Sequence, residues 1–244
     1  MNVAMLGLVV CLTGLDLQAG TELQYAGTIF QQSKAGETEV KTFSLNALTL
    51  VDENAKSQIA YQLEERGGGN WGWPEQFGLL PPADNAATKS RPIRLLLTHE
   101  EQQYSLPVRS PIFEFREKLA LSTSWTDGQR EYVVTRKRNV KNREGLQVEV
   151  STNLGRSQTI IVEPASGILL SLDEKVVIGR GEEFRLKMEP QSQKQLNDSE
   201  LAKKFLKLAK VYTPKNSSLA LKVKEDENKI DEIIAKEKKK ESHL

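Results

Sequence analysis

Between Thr21 and Met188 apolar residues recur at every second position, in runs separated by short turn-like segments. Leu23, Tyr25 and Ile29 form one such set, with Gly27 in the same phase. Phe43, Leu45 and Ala47 form another, then shift phase to Leu48 and Leu50, which suggests a bulge. Ile59, Tyr61, Leu63; Ile93, Leu95, Leu97; Leu146, Val148, Val150; Ile168, Leu170, Leu172; and Phe184, Leu186, Met188 repeat the pattern. Alternation places one face of each strand in a core and the other in water, which is the habit of antiparallel sheets. Asn153-Leu154-Gly155, Glu163-Pro164-Ala165-Ser166-Gly167 and Asp127-Gly128 supply turns, and the short spacing leaves no room for helical crossovers. The expected fold is therefore mainly β (α+β): a curved antiparallel sheet or half-barrel.

One helix is expected to cover that sheet. Pro111 to Leu121 places Ile112, Phe115 and Leu119 near one face, with Pro111 at a tolerated first position. After Pro190 the chain turns polar, and Asp198 or Ser199 can cap a helix through Leu201, Phe205, Leu208 and Ala209. A helical C-terminal extension follows from this. The expected division is a signal peptide at 1–19, an antiparallel β-rich domain at 20–190 and a charged helical tail at 191–244.

Met1 to Leu15 carries no charged side chain, and Ala19-Gly20 offers small residues for cleavage. The run is short for a membrane span and suits a signal-peptide core, although no basic residue precedes it and Leu17 is large for its place. A buried N-terminal element is the alternative. Acylation at Cys11 is disfavoured because Val10 is not small. The expected location is periplasmic or secreted, with no transmembrane helix in the mature chain. Cys11 is the single cysteine, so neither an internal disulfide nor a cysteine metal site is available. Lys plus Arg number 34 against 33 Asp plus Glu, a balance that argues against a global grip on nucleic acid.

Candidate contact residues come from composition that strands do not need. Glu65 to Gly78 reads ERGGGNWGWPEQFG. Trp71, Trp73 and Phe77 there, with Trp125 elsewhere, are candidates for ligand or partner contact. Folding back to plug the end of the sheet is the competing role for the two indoles. The glycine run is not a phosphate loop, since no Lys-Ser or Lys-Thr follows. Arg136, Arg138 and Lys141, with Lys137 and Arg143, form a basic cluster that could contact an anion or simply guard a hairpin edge against aggregation. Lys236 to Lys240 suits a soluble tail or a membrane surface.

Catalytic and metal constellations are not legible. His99-Glu100-Glu101 lacks the second histidine of a zinc-protease helix, and His243 is remote in sequence. No metal and no cofactor is expected. Glu182-Glu183 would point to opposite strand faces. Asn216-Ser217-Ser218 is a glycosylation sequon only where that pathway operates.

Two resemblances bear on function. The strands Gln158 to Val162 and Ile168 to Leu172, joined by EPASG, resemble a recurring hairpin of the LolA/LolB-like envelope proteins. That resemblance implies a curved sheet around a helical lid, holding lipid or acyl chains on an apolar concave face. The stretches ERGGGNWGWPEQFG, SWTDGQREYVV and VEVSTNLGRSQTIIVEPASGILLSLDEKVVIGRGEEF resemble the N-terminal region of secreted planctomycete-type thioredoxin-fold proteins. Their redox domain has no counterpart here, because there is no Cys-x-x-Cys. The expectation is an exported, non-catalytic binding or scaffolding module of the bacterial envelope, for an apolar ligand or a partner protein. A carboxylate-dependent hydrolase and a purely structural accessory domain are the alternatives.

Overall fold

The computed structural model describes residues 20–51, 57–66, 75–80, 93–152, 156–178, 181–197, 200, 201, 203 and 204. The strands are β1 (Thr21–Ser33), β2 (Gly36–Val51), β3 (Ser57–Arg66), β4 (Glu75–Leu80), β5 (Ile93–His99), β6 (Gln102–Val108), β7 (Ser124–Thr126), β8 (Arg130–Val140), β9 (Arg143–Thr152), β10 (Ser157–Val162), β11 (Leu169–Ile178) and β12 (Glu182–Gln195). Among the described residues, ten of them form one sheet in the order β4-β3-β2-β1-β12-β11-β10-β9-β8-β7, and β5 and β6 pair only with each other. Every ladder is antiparallel. Among the described residues the ends of the large sheet, β4 and β7, do not pair, so the sheet is open there.

The inward parity of each strand builds one core. Leu23, Tyr25, Ile29, Leu45, Leu63, Val148, Ile160, Leu172 and Leu186 are almost completely buried, together with Ile93, Leu95 and Leu97 of β5. The β5–β6 hairpin thus covers the apolar face of the large sheet. Tyr25 reaches across this core, and its hydroxyl donates to the Leu169 carbonyl at 2.8 Å.

Three expectations from sequence are corrected. Pro111 to Leu121 is not a covering helix. Ile112 bridges Ile168, Phe113 N–H donates to Gly167 O, and Leu169 N–H donates to Pro111 O, so Pro111 to Phe113 is held extended against the β10–β11 turn. Only Arg116–Lys118 makes a 3₁₀ turn. Local helical periodicity lost to backbone pairing with a distant turn. The phase change at Leu48 is not a bulge, because pairing with β1 and β3 runs unbroken through Ala47 and Leu48. Leu48 instead faces the other side of the sheet, where Ala60, Leu196 and Leu201 cover it.

The third correction concerns the start of the C-terminal helix. The Asn197 side chain accepts from Glu200 N–H at 2.8 Å, and the Glu200 carboxylate accepts from Asn197 N–H at 3.2 Å. This reciprocal capping box makes Asn197 the cap, while Asp198 and Ser199, the caps expected from sequence, lie outside the described residues. Glu200, Leu201, Lys203 and Lys204 are helical, and the extension expected after them lies outside the described residues. Pro190 does not end the sheet either: β12 continues to Gln195. The proline sits where the pairing with β1 shifts register, a place that tolerates a missing N–H.

Charged residues on inward positions fasten the hairpin. Lys41 and Glu65, on the parities of Phe43 and Leu63, form a buried ion pair with side chains 0% and 4% exposed. Lys41 Nζ donates to the Leu96 carbonyl, and the Glu65 carboxylate accepts from Leu96 N–H at 3.4 Å. The two side chains stand in for a missing strand beside β5. Arg156 pairs with the fully buried Glu174 and also donates to the Pro107 carbonyl at 3.5 Å, tying down the end of β6.

Breaking a buried pair leaves an uncompensated charge. Lys41→Met is therefore expected to cost about 3–5 kcal/mol in urea unfolding. Lys41→Met combined with Glu65→Leu should recover much of that loss; no recovery would show that the cost arises elsewhere.

Candidate functional site

Beyond Val134, β8 has no strand on its outer side among the described residues, because β7 pairs only with Glu131, Tyr132 and Val133. Arg136, Lys137 and Arg138 occupy this open edge and are exposed. Lys137 is paired with Glu144 at 2.9 Å. Arg136 and Arg138 are treated differently. Each donates its Nε–H, at 3.0 Å, to the same neutral acceptor, Gln147 Oε1. Gln147 is buried and is held by Glu149 at 2.5 Å, which in turn accepts from Thr159 at 2.7 Å. Neither arginine meets a carboxylate among the described residues, so two oriented guanidiniums keep their charge and their terminal N–H groups. Such forks match carboxylates and phosphates bidentately. Lys141 lies in the β8–β9 turn with φ 48°, where its amine pairs with Glu189 at 3.4 Å.

The outer face elsewhere is neutralised within itself. Arg185 holds Asp173 with two bonds of 2.6 Å and Glu37 at 3.1 Å, and Lys187 holds Glu37 at 2.8 Å. The Lys187 contact, helped by Gln32 and Arg185, pulls the Glu37 carboxyl down to about 2. A shallow polar groove beside this network, floored by Thr159, Asp173 and Lys175, therefore offers little net charge.

Trp125 lies on β7 at one edge of the sheet and is partly buried. It stacks on Tyr132 with centroids 5.0 Å apart and planes 2° from parallel, and Phe113 and Phe115 meet it edge-on. Beneath them the buried Arg109 guanidinium bonds to Gln158 at 2.7 Å and Glu114 at 2.5 Å and lies 5.2 Å from the Phe113 ring centre. Lys118 covers the Phe115 and Trp125 rings. Burial pushes the Tyr132 phenol up to about 12. Its hydroxyl donates to Asp127 at 2.9 Å. Burial works against the Asp127 charge, but backbone N–H groups of Gln129 and Arg130 and the Tyr132 hydroxyl outweigh it and hold the carboxyl below its usual range.

The structure brings Arg136 and Arg138 together on one acceptor and places Lys141 in the adjoining turn. Phe77 lies on β4 and Trp125 on β7, the two ends of the sheet order. Trp71 and Trp73 lie outside the described residues. Sequence reasoning missed Arg109, Glu174 and the approach of Glu182 to His99, whose carboxylate and imidazole come within 2.6 Å. A signal existed for Lys41, Glu65 and Glu174, because each continues an inward apolar parity. None existed for His99 and Glu182, which only tertiary folding joins. The buried carboxylates Glu22, Glu65 and Glu174 are each taken up by a cation, namely Lys204, Lys41 and Arg156.

No family model matches the chain, and no curated protein does. Among solved structures it is similar to a chain of the Pseudomonas aeruginosa MucA/MucB complex, with 8% identity and a TM-score of 0.33, covering 74% of this chain and 55% of that one. A structure of MucB in complex with MucA(peri) gives 10% identity and a TM-score of 0.32, covering 71% and 50%. A DUF1329 family protein from Desulfovibrio piger gives 12% identity and a TM-score of 0.23, covering 76% and 90%. This chain thus spans about half the length of the chains it matches in the two complexes. At these scores the similarities assign no function. None of the three supports the resemblance to thioredoxin-fold proteins.

A group whose folded pKa is depressed contributes stability above its unfolded pKa and loses it as pH falls. Asp127 is expected to steady the Trp125–Tyr132 stack above the ordinary Asp value of about 3.9. That contribution disappears as the pH falls through its lower folded value. Near-ultraviolet circular dichroism during acid titration checks this, and Asp127→Asn should remove that part of the acid transition.

Proposed function

We propose that the chain is a non-catalytic binding module of the bacterial envelope whose partner is a protein bearing an acidic segment, engaged along the open edge of β8. The observation that carries this reading is the pair Arg136 and Arg138, exposed side by side on a strand edge and anchored to one neutral oxygen. An extended acidic segment could add its backbone to the edge while its carboxylates meet the guanidiniums. Lys141, in the adjoining turn and paired with Glu189, would be a further anion contact only by exchanging that partner. Export, read from residues 1–19, supplies the location.

The hairpin supports a protein partner over an apolar ligand. The apolar sheet face that would receive an acyl chain is already covered by Leu95, Leu97, Leu106 and Val108 of the hairpin. The pairing of buried carboxylates with cations supports a non-catalytic role. Trp125 is a packed support of the β7 edge beside this surface, and the Trp71, Trp73 and Phe77 region remains a further contact proposal.

The double variant Arg136→Glu, Arg138→Glu tests the edge. Cross-linking from the β8–β9 turn in intact envelopes should yield a defined partner with the native chain and at least tenfold less with the variant. Equal yields would remove β8 from the interface. A small apolar mass retained in native mass spectra would instead move binding to the concave face.

A further inference from the structure

At the tip of the β5–β6 hairpin, His99 closes β5 and Glu100 opens the turn with φ 47°, while Glu182 begins β12. One donor atom from each of His99, Glu100 and Glu182 lies within 4.8 Å of the others. His99 Nε2 is excluded from solvent and sits 2.6 Å from Glu182 Oε2 without the alignment of a hydrogen bond. The two groups thus lie at ion-pair distance with no hydrogen bond between them, an arrangement that a shared metal ion would also satisfy. The ring is held edge-on against Phe184, with centroids 5.2 Å apart. The nitrogen therefore stays at the junction of hairpin and sheet.

We infer that His99, Glu100 and Glu182 form a divalent transition-metal site, with zinc the favoured ion. Imidazole nitrogen selects zinc over calcium or magnesium, which prefer all-oxygen shells. Two carboxylates and a neutral imidazole balance a dication. Zinc bonds of about 2.0–2.2 Å in tetrahedral array separate neighbouring donors by about 3.4 Å, within reach of this group after small side-chain adjustments. A fourth position is left for water. Since the ligands come from the hairpin and from β12, the ion joins the covering hairpin to the large sheet. The site is independent of the β8 edge.

Equilibrium dialysis of the full chain against zinc tests it, with cobalt(II) absorption as the second readout. One zinc per chain is expected, with cobalt giving the visible spectrum of a low-coordinate site. His99→Gln and Glu182→Gln should each weaken binding at least tenfold. Glu100→Gln, on an exposed turn, should weaken it without disturbing the fold, as circular dichroism would show. Glu101→Gln should bind as the native chain does. No retained zinc at micromolar concentration would overturn the proposal. So would binding unchanged by His99→Gln and Glu182→Gln, which would put the ion elsewhere, such as at His243.

Discussion

A two-stranded hairpin lying on a sheet presents that sheet with apolar side chains and with an unpaired backbone edge. Burying the first is favourable, but burying the second without partners is costly. Here the Leu96 N–H and C=O meet Glu65 and Lys41, which already neutralise each other. The arrangement satisfies two charges and two backbone groups at once. Farther along the hairpin Arg156 pairs with the buried Glu174 and also meets one backbone group, the Pro107 carbonyl. The rest of the core depends on these contacts because they set where the hairpin sits, and the hairpin packs on the sheet's apolar face.

That placement governs what the surface can do. With the apolar face covered by Leu95, Leu97, Leu106 and Val108, recognition falls to the edges and the outer face. The outer face is cross-linked by Arg185, Asp173, Glu37 and Lys187 and largely cancels its own charge. The β8 edge does not, because Arg136 and Arg138 share a neutral acceptor. An open edge invites pairing, and positive charge there discourages self-association through repulsion between like copies. The acidic partner segment proposed above would meet the same charge.

Much of the sheet was legible because strand periodicity is local. The parity of Leu23, Tyr25 and Ile29, and of Ile59, Tyr61 and Leu63, assigned faces correctly. The turn chemistry of Asp127-Gly128 and of Glu163 to Gly167 is likewise local: Gly128 and Gly167 both take positive φ. Two errors came from treating one periodic signal as if it had one cause. Leu48 broke the pattern because a second surface, under Leu196 and Leu201, needed an apolar residue. Ile112 and Phe115 showed helical spacing, yet extended pairing near Ile168 competed successfully.

Sequence by itself determined the antiparallel class, the inward faces of most strands, the absence of a cysteine-based site and the basic character of the β8 edge. These follow from residue types and from intervals of a few positions, which fix side-chain direction through backbone geometry alone. Tertiary structure decided that the hairpin covers the apolar face of the sheet, that Lys41 and Glu65 serve its backbone, that Arg136 and Arg138 meet no carboxylate among the described residues, and that Glu182 reaches His99. Each depends on residues far apart in the chain, and their meeting is set by strand order and register rather than by any local preference.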